Sequence, residues 1–249
     1  MIEQALFGYR EGHRCLASSP GVAEAQHYVL DRCSDLTGHL PMGFTFEAYY
    51  QGFPCGDAYA FTCTWYDHGA PRSGAVLTHA LLVPKSLISE VKSPGSLRCH
   101  FRRPAGAADT APFKAPIAGP LPDEAPDPAA PELLALWAHR PILRVTPATG
   151  IELVAGLWAS LEPLERVDFR FCTMALGMIT LGKRAFDYYQ CPPQAVSGFW
   201  NMARGLGWWE DGRRNPVLAA LLGKLPPPRQ LLTGAAAGGR TPWAAFDSW

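Results

Sequence analysis

An α+β fold is the class this sequence predicts: an N-terminal module rich in antiparallel sheet, followed by a smaller, mostly helical part. Three observations carry it. Residues 58–65 (AYAFTCTW) alternate, with Tyr59, Phe61, Cys63 and Trp65 on one face and Ala58, Ala60, Thr62 and Thr64 on the other, the period of a half-buried strand. Residues 75–83 (AVLTHALLV) are nearly unbroken apolar and β-branched, as in a strand covered on both faces. Downstream of a proline-rich stretch, the apolar spacing becomes helical.

The elements follow in order. Gly8-Tyr9-Arg10-Glu11-Gly12-His13 lacks the Lys-Ser/Thr end of a Walker A loop and the third glycine of a dinucleotide fingerprint. Its two glycines suit a tight turn between strands, a turn that could also hold His13 and Arg14 rigidly at a site. Ser19-Pro20 starts a helix, with Val22, Gln26, Val29, Leu30 and Cys33 at helical spacing and a stop near Thr37-Gly38. The turn-rich DHGAPRSG between 58–65 and 75–83 makes those two strands an antiparallel pair. Eight prolines in residues 104–131 exclude regular structure and predict an extended connector or a loop draped over the surface, so the chain divides into 1–103, 104–131 and 132–249. Beyond it, Glu132–His139 forms a short amphipathic helix and Thr149-Gly-Ile-Glu152 a capping box for a helix through Leu157 and Leu161. Phe169–Leu181 is apolar, a strand running into a helix, and Asn215-Pro216 starts another helix that stops at Gly223.

Composition narrows the function classes. With 249 residues, 48% of them hydrophobic, there is material for a substantial core. Lys plus Arg equal Asp plus Glu at 22 each, which excludes a histone-like protein that needs excess positive charge. Seven cysteines without regular spacing, and an opening MIEQALFGYREGHR without basic or apolar leader regions, predict a cytoplasmic protein with free thiols. The ten weakly polar residues Cys172–Leu181 are half of the roughly 20 that span a bilayer.

His13 and His79 are the candidates for general acid and base, since histidine alone titrates near neutrality unaided. Arg14 and Arg72 would accompany them, and Asp35, Asp57 and Asp67 could each orient a ring. A lone histidine such as His79 inside an apolar strand is most often a core residue bonded to a backbone carbonyl or a hydroxyl. The scattered Cys and His residues, without C-x-x-C or H-E-x-x-H, give no metal site, and no cofactor is implied. Lys85, Lys92, Arg98, Arg102 and Arg103, against the single acid Glu90, form a local basic strip that could touch a nucleic-acid backbone or serve as a solvated face. Trp208, Trp209, Trp243, Phe246 and Trp249 are candidates for a partner contact, because large aromatics in a Gly/Ala-rich tail dock on something.

Five segments, in order, resemble the N-terminal region, second type, of the bacterial GTPase-associated protein family, first member, of NTP-dependent conflict systems. They are Gln4-Ala-Leu-Phe-Gly8-Tyr9-x-x-Gly12-His13-Arg14-x-Leu16-Ala17-x-Ser19, Leu30-x-x-x-Ser34-Asp35-Leu36-x-Gly38, Phe46-x-x-Tyr49-x-x-Gly52-Phe53-Pro54, Tyr59-Ala-Phe61-x-x-Thr64-Trp65 and Arg72-x-Gly74-x-Val76-x-Thr78-His79-x-Leu81-Leu82. Ser73 and Leu77 stand where relatives usually carry Pro and Trp. Leu161-Glu-Pro163-x-x-x-Arg166-x-x-Phe169-x-Phe171-Cys172-Thr173 is similar to an element of the family's middle region. The resemblance implies an adaptor, sensor or regulator encoded beside GTPases or other NTPases in bacterial defence systems. The expectation is therefore a non-catalytic subunit acting through protein–protein contacts. A histidine-dependent hydrolase or nuclease using His13 and His79, and an RNA- or DNA-binding subunit using the 85–103 strip, are the alternatives.

Overall fold

Two nine-residue strands, Ala58–Tyr66 (β4) and Val76–Pro84 (β5), pair antiparallel over their full length and are buried at all but their last residue. The computed structural model describes residues 1–88, 90–118, 141–196 and 199, with Leu153 by its backbone alone. Glu3–Tyr9 (β1) and Ala48–Cys55 (β3) flank the central pair, and His13–Ser18 (β2) lies outside β1. Phe171–Cys172 (β7), Tyr188–Cys191 (β10) and Ile142–Val145 (β6) complete an eight-stranded sheet of order β2-β1-β5-β4-β3-β7-β10-β6. Every pairing from β2 through β7 is antiparallel, whereas β7–β10 and β10–β6 are parallel. The α+β class is what the structure shows.

The part expected to be mainly helical thus supplies three strands to the same sheet. Its described helices are Glu152–Ala159 (α3) and Pro163–Asp168 (α4), and Thr180–Leu181 (β8) with Arg184–Ala185 (β9) makes a small separate hairpin. The apolar run Phe169–Leu181, expected as a strand running into a helix, gives two two-residue strands, β7 and β8, joined by bends, with no helix. The expected helices at 132–139 and 215–223 lie outside the described residues.

Strand parity separates two cores. One face packs Phe7, Tyr49, Phe53, Phe186 and Tyr189 beneath the helix Glu24–Ser34 (α1). The other packs Tyr59, Phe61, Phe169 and Phe171 around Trp158 of α3, with Lys85–Ile88 (α2) and a 3₁₀ turn at Pro94–His100 nearby. Trp158 meets Tyr59 and Phe61 at ring separations of 5.5 and 5.6 Å, and its indole N–H donates to the Val91 carbonyl at 2.7 Å. A buried indole needs such an acceptor to offset its lost water.

The two predicted helix starts that lie among the described residues are corrected. α1 begins at Glu24, where Ala23 has no capping oxygen; the Gln26 side chain reaches back to accept from the Ala23 N–H at 2.9 Å. Ser19 bonds β1 instead, accepting from the Gln4 N–H at 2.9 Å. Thr149 does not cap α3, whose N-cap position is Ile151; its hydroxyl instead donates to the Ala48 carbonyl of β3 at 2.7 Å.

The described part of the proline-rich stretch, residues 104–118, is draped along β1. Phe113 is buried against Leu6 and Ala17, and Ile117 forms a two-bond bridge with Ile2. Residues 119–131 lie outside the described residues.

Gly52 marks the tightest approach in the sheet. A Cβ there would overlap the Phe171 ring and stand 2.8 Å from the Tyr59 hydroxyl. Gly52→Ala should therefore lower unfolding free energy by about 1–3 kcal/mol, the usual cost of overpacking, read from the urea midpoint at unchanged slope.

Candidate functional site

Strands that alternate direction bring three chain reversals to one end of the sheet: the β1–β2 turn, the β4–β5 turn, and the end of α1 with the loop 35–47. The first is tight, with Glu11 at φ 58° and Gly12 at φ 125°, backbone that glycine tolerates and glutamate does not favour. It projects exposed Arg10 and Arg14; the Arg14 guanidinium is held by the Glu11 carbonyl at 3.3 Å. Arg72 is exposed on the β4–β5 turn.

His13 sits just below these turns, on the α1 face. Its ring stacks on Phe7 at 6.4 Å, Nε2 lies 2.8 Å from Ser34 Oγ, and Nδ1 faces Asp35 Oδ1 at 3.9 Å. The His13 side chain is 11% exposed and that of Asp35 41%. Burial pushes the His13 pKa below 6.5, Asp35 and Asp31 pull it up, and nearby Arg72 adds to the lowering. Of the three aspartates that might orient a ring, Asp35 alone faces His13. Asp57 accepts from Gln26 and Asp67 from the Gly69 N–H.

Ser, His and Asp in one line invite comparison with a nucleophilic triad, but the geometry does not serve that chemistry. Ser34 is 1% exposed at the last turn of α1, and its hydroxyl also lies 3.2 Å from the Asp31 carbonyl. A nucleophile must be open to its substrate and have its proton taken by the base. Ser34 instead ties the helix end to the sheet. Its carbonyl accepts from Thr78 Oγ1 at 2.6 Å, and Thr78 lies 2.8 Å from Thr64 Oγ1, a polar chain running from β4 through β5 to α1.

His79 follows Thr78 and therefore points to the opposite face. There its Nδ1 accepts from the Arg102 N–H at 3.1 Å, so Nε2 carries the proton and donates to Gln4 Oε1 at 2.8 Å. Gln4 in turn donates to the carbonyls of Pro112 and Ala115, while Phe113 and Phe101 pack edge-on against the ring at 4.8 and 5.7 Å. Fully buried, His79 has its pKa pushed down to about 3.

The structure thus does not bring His13 and His79 together; of the two arginines, Arg72 acts on His13, whereas Arg14, the next residue along β2, is engaged with Glu11. The basic strip is distributed. Lys85 is half-buried at the start of α2, Arg98 pairs with Glu152 at 3.2 Å, and Lys92, Arg102 and Arg103 are exposed. Trp208, Trp209, Trp243, Phe246 and Trp249 lie outside the described residues. Among the described residues no group of three or more His, Cys, Asp or Glu side chains could hold a metal, and no helix is long and apolar enough to cross a membrane. Ser34, Thr64, Thr78 and Gln4 are the residues that sequence reasoning gave no role. All four lie inside the segments that carry the family resemblance, which was the signal available.

Two outcomes follow from these buried contacts. Thr78→Val removes a donor and an acceptor at once, taking from the Ser34 carbonyl its Thr78 donor and from the Thr64 hydroxyl one of its partners inside the fold. It should cost about 1–3 kcal/mol in urea unfolding. For His79 the folded pKa lies below the unfolded 6.5, so the unfolded chain binds more protons between pH 6.5 and 3. Stability should fall as pH drops through that window, with His79 contributing about 1.4 kcal/mol per pH unit. His79→Gln should remove that part of the slope in unfolding curves taken at successive pH values.

Comparison with known proteins finds no curated protein and no solved structure that matches the chain. One family model does match, and its type differs from the second type that the sequence segments resemble. The match ends at residue 101, before the segment 161–173 that resembles the family's middle region. It takes in β1 to β5, α1 and all three chain reversals around His13. Residues 1–101 match the N-terminal domain, type 1, of GTPase-associated protein 1.

Proposed function

We propose that this chain is a cytoplasmic, non-catalytic adaptor or regulatory subunit of a bacterial multi-protein defence assembly, docking a GTPase or another NTPase through protein–protein contacts. The observation that carries this is how the motif residues are employed. His79, Gln4, Thr78 and Ser34 are spent on buried hydrogen bonds, and His13 and His79 work on opposite faces of the sheet. What remains for a partner is presented on turns. Arg10, Glu11, Arg14 and Arg72 are exposed on two of the turns, and Met42, on the loop 35–47, has a side chain wholly open to solvent. Charged turns and an apolar anchor, held on a rigid sheet, suit selective docking better than they suit turnover, which needs a concave pocket with convergent groups. The C-terminal tryptophans would supply a further contact.

The test is co-expression of the full chain with the NTPases encoded beside its gene, followed by size-exclusion chromatography. A stoichiometric complex is expected, with affinity reduced about tenfold or more by Arg14→Glu with Arg72→Glu, equivalent to about 1.4 kcal/mol. A chain that remains monomeric with every neighbour would overturn the proposal.

A further inference from the structure

While the His13 ring is neutral, two acceptors compete for a single hydroxyl proton. The Ser34 hydroxyl has one proton and two acceptors in reach, His13 Nε2 at 2.8 Å and the Asp31 carbonyl at 3.2 Å. With the ring proton on Nδ1, Nε2 takes the Ser34 proton and the Asp31 carbonyl goes without it. With the ring proton on Nε2, Ser34 serves Asp31, but a nitrogen lone pair then faces the Asp35 carboxylate at 3.9 Å. The imidazolium alone donates from both nitrogens while Ser34 donates to Asp31.

We propose that His13 is a proton-operated latch between β2 and the loop 35–47: a proton taken from solvent turns the facing of Nδ1 and the Asp35 carboxylate into an ion pair that fastens the loop, and its loss weakens that hold. The groups facing the ring are Asp31 on α1, Asp35 just beyond it, Arg72 on the β4–β5 turn and Phe7 on β1. On its own strand, Arg14 is engaged with Glu11. Burial and Arg72 oppose charging, and the two carboxylates favour it; burial dominates, so the proton is taken up at lower pH than by an ordinary histidine and acidification fastens the latch. The loop it governs starts at Leu36, whose N–H donates to Asp35 Oδ1 at 2.8 Å, and it includes exposed His39 and Met42. A partner that engages Arg72 with an acidic group removes one of the opposing charges, so docking there is accompanied by proton uptake at His13. That last consequence rests on the docking role proposed above; the latch itself does not.

Histidine-ring and amide NMR titration of the full chain tests it without a partner. His13 should titrate below 6.5, with the Leu36 amide resonance moving on the same curve. Asp35→Asn, at an accessible position outside both cores, should lower the His13 midpoint and uncouple Leu36, and Arg72→Ala should raise the midpoint. A Leu36 amide that ignores the His13 titration, or a midpoint unmoved by Asp35→Asn, would overturn the latch. Failure to capture a GTPase would count against the docking role alone, so the two failures are distinguishable.

Discussion

Strand β5 is buried on both faces, and that single constraint organises the rest of the molecule. A strand in this position has no water on either side, so each polar side chain it carries must find its partner within the protein. It carries two in succession. Thr78 reaches one way to the end of α1 and His79 reaches the other way to β1 and the segment at 102. One dipeptide thereby fixes the position of a helix on one face and of a long loop on the other. Removing either side chain leaves several unrelated segments with unpaired groups, a larger loss than one hydrogen bond suggests.

The same constraint explains why two histidines of similar standing in the sequence have such different situations. His79 is enclosed by aromatic rings and fixed in one tautomer by partners on both nitrogens, so it cannot exchange protons near neutrality. His13, on the outer strand and at the turns, keeps one nitrogen aimed at a half-exposed carboxylate. Distance from the centre of the sheet is what separates a fixed structural imidazole from one that can respond to its surroundings.

The antiparallel half of the fold can be read from the sequence because its signals are local. The alternation at 58–65, the apolar run at 75–83 and the turn residues between them act within a few residues of one another. The parallel half could not be read this way. A strand is expected at the start of 169–181, but β7 has only two residues and β10 reads YYQC, too short for any periodicity; both are strands because β3, β6 and one another supply their hydrogen bonds. Helix starts failed for a related reason. Ser19 and Thr149 have the chemistry of caps, but distant backbone groups hold their hydroxyls. For the site, sequence named His13, Arg14, Arg72 and Asp35 individually; which aspartate faces His13, and that His79 does not, depends on strand parity and register.

The pairing of distant segments bears on how the chain is made. Gln4 meets the Ala115 carbonyl across 111 residues, and Thr173 meets Tyr50 across 123. The strand that starts the chain therefore lacks its covering until well over a hundred residues have left the ribosome, and β3 waits longer still for its neighbour β7. Such non-local topology folds slowly, because loop closure must be completed before the contacts that reward it. Until residue 172 has been made, the edge of β3 that pairs with β7 has no partner strand, and an unpaired edge is the kind of surface on which chains associate.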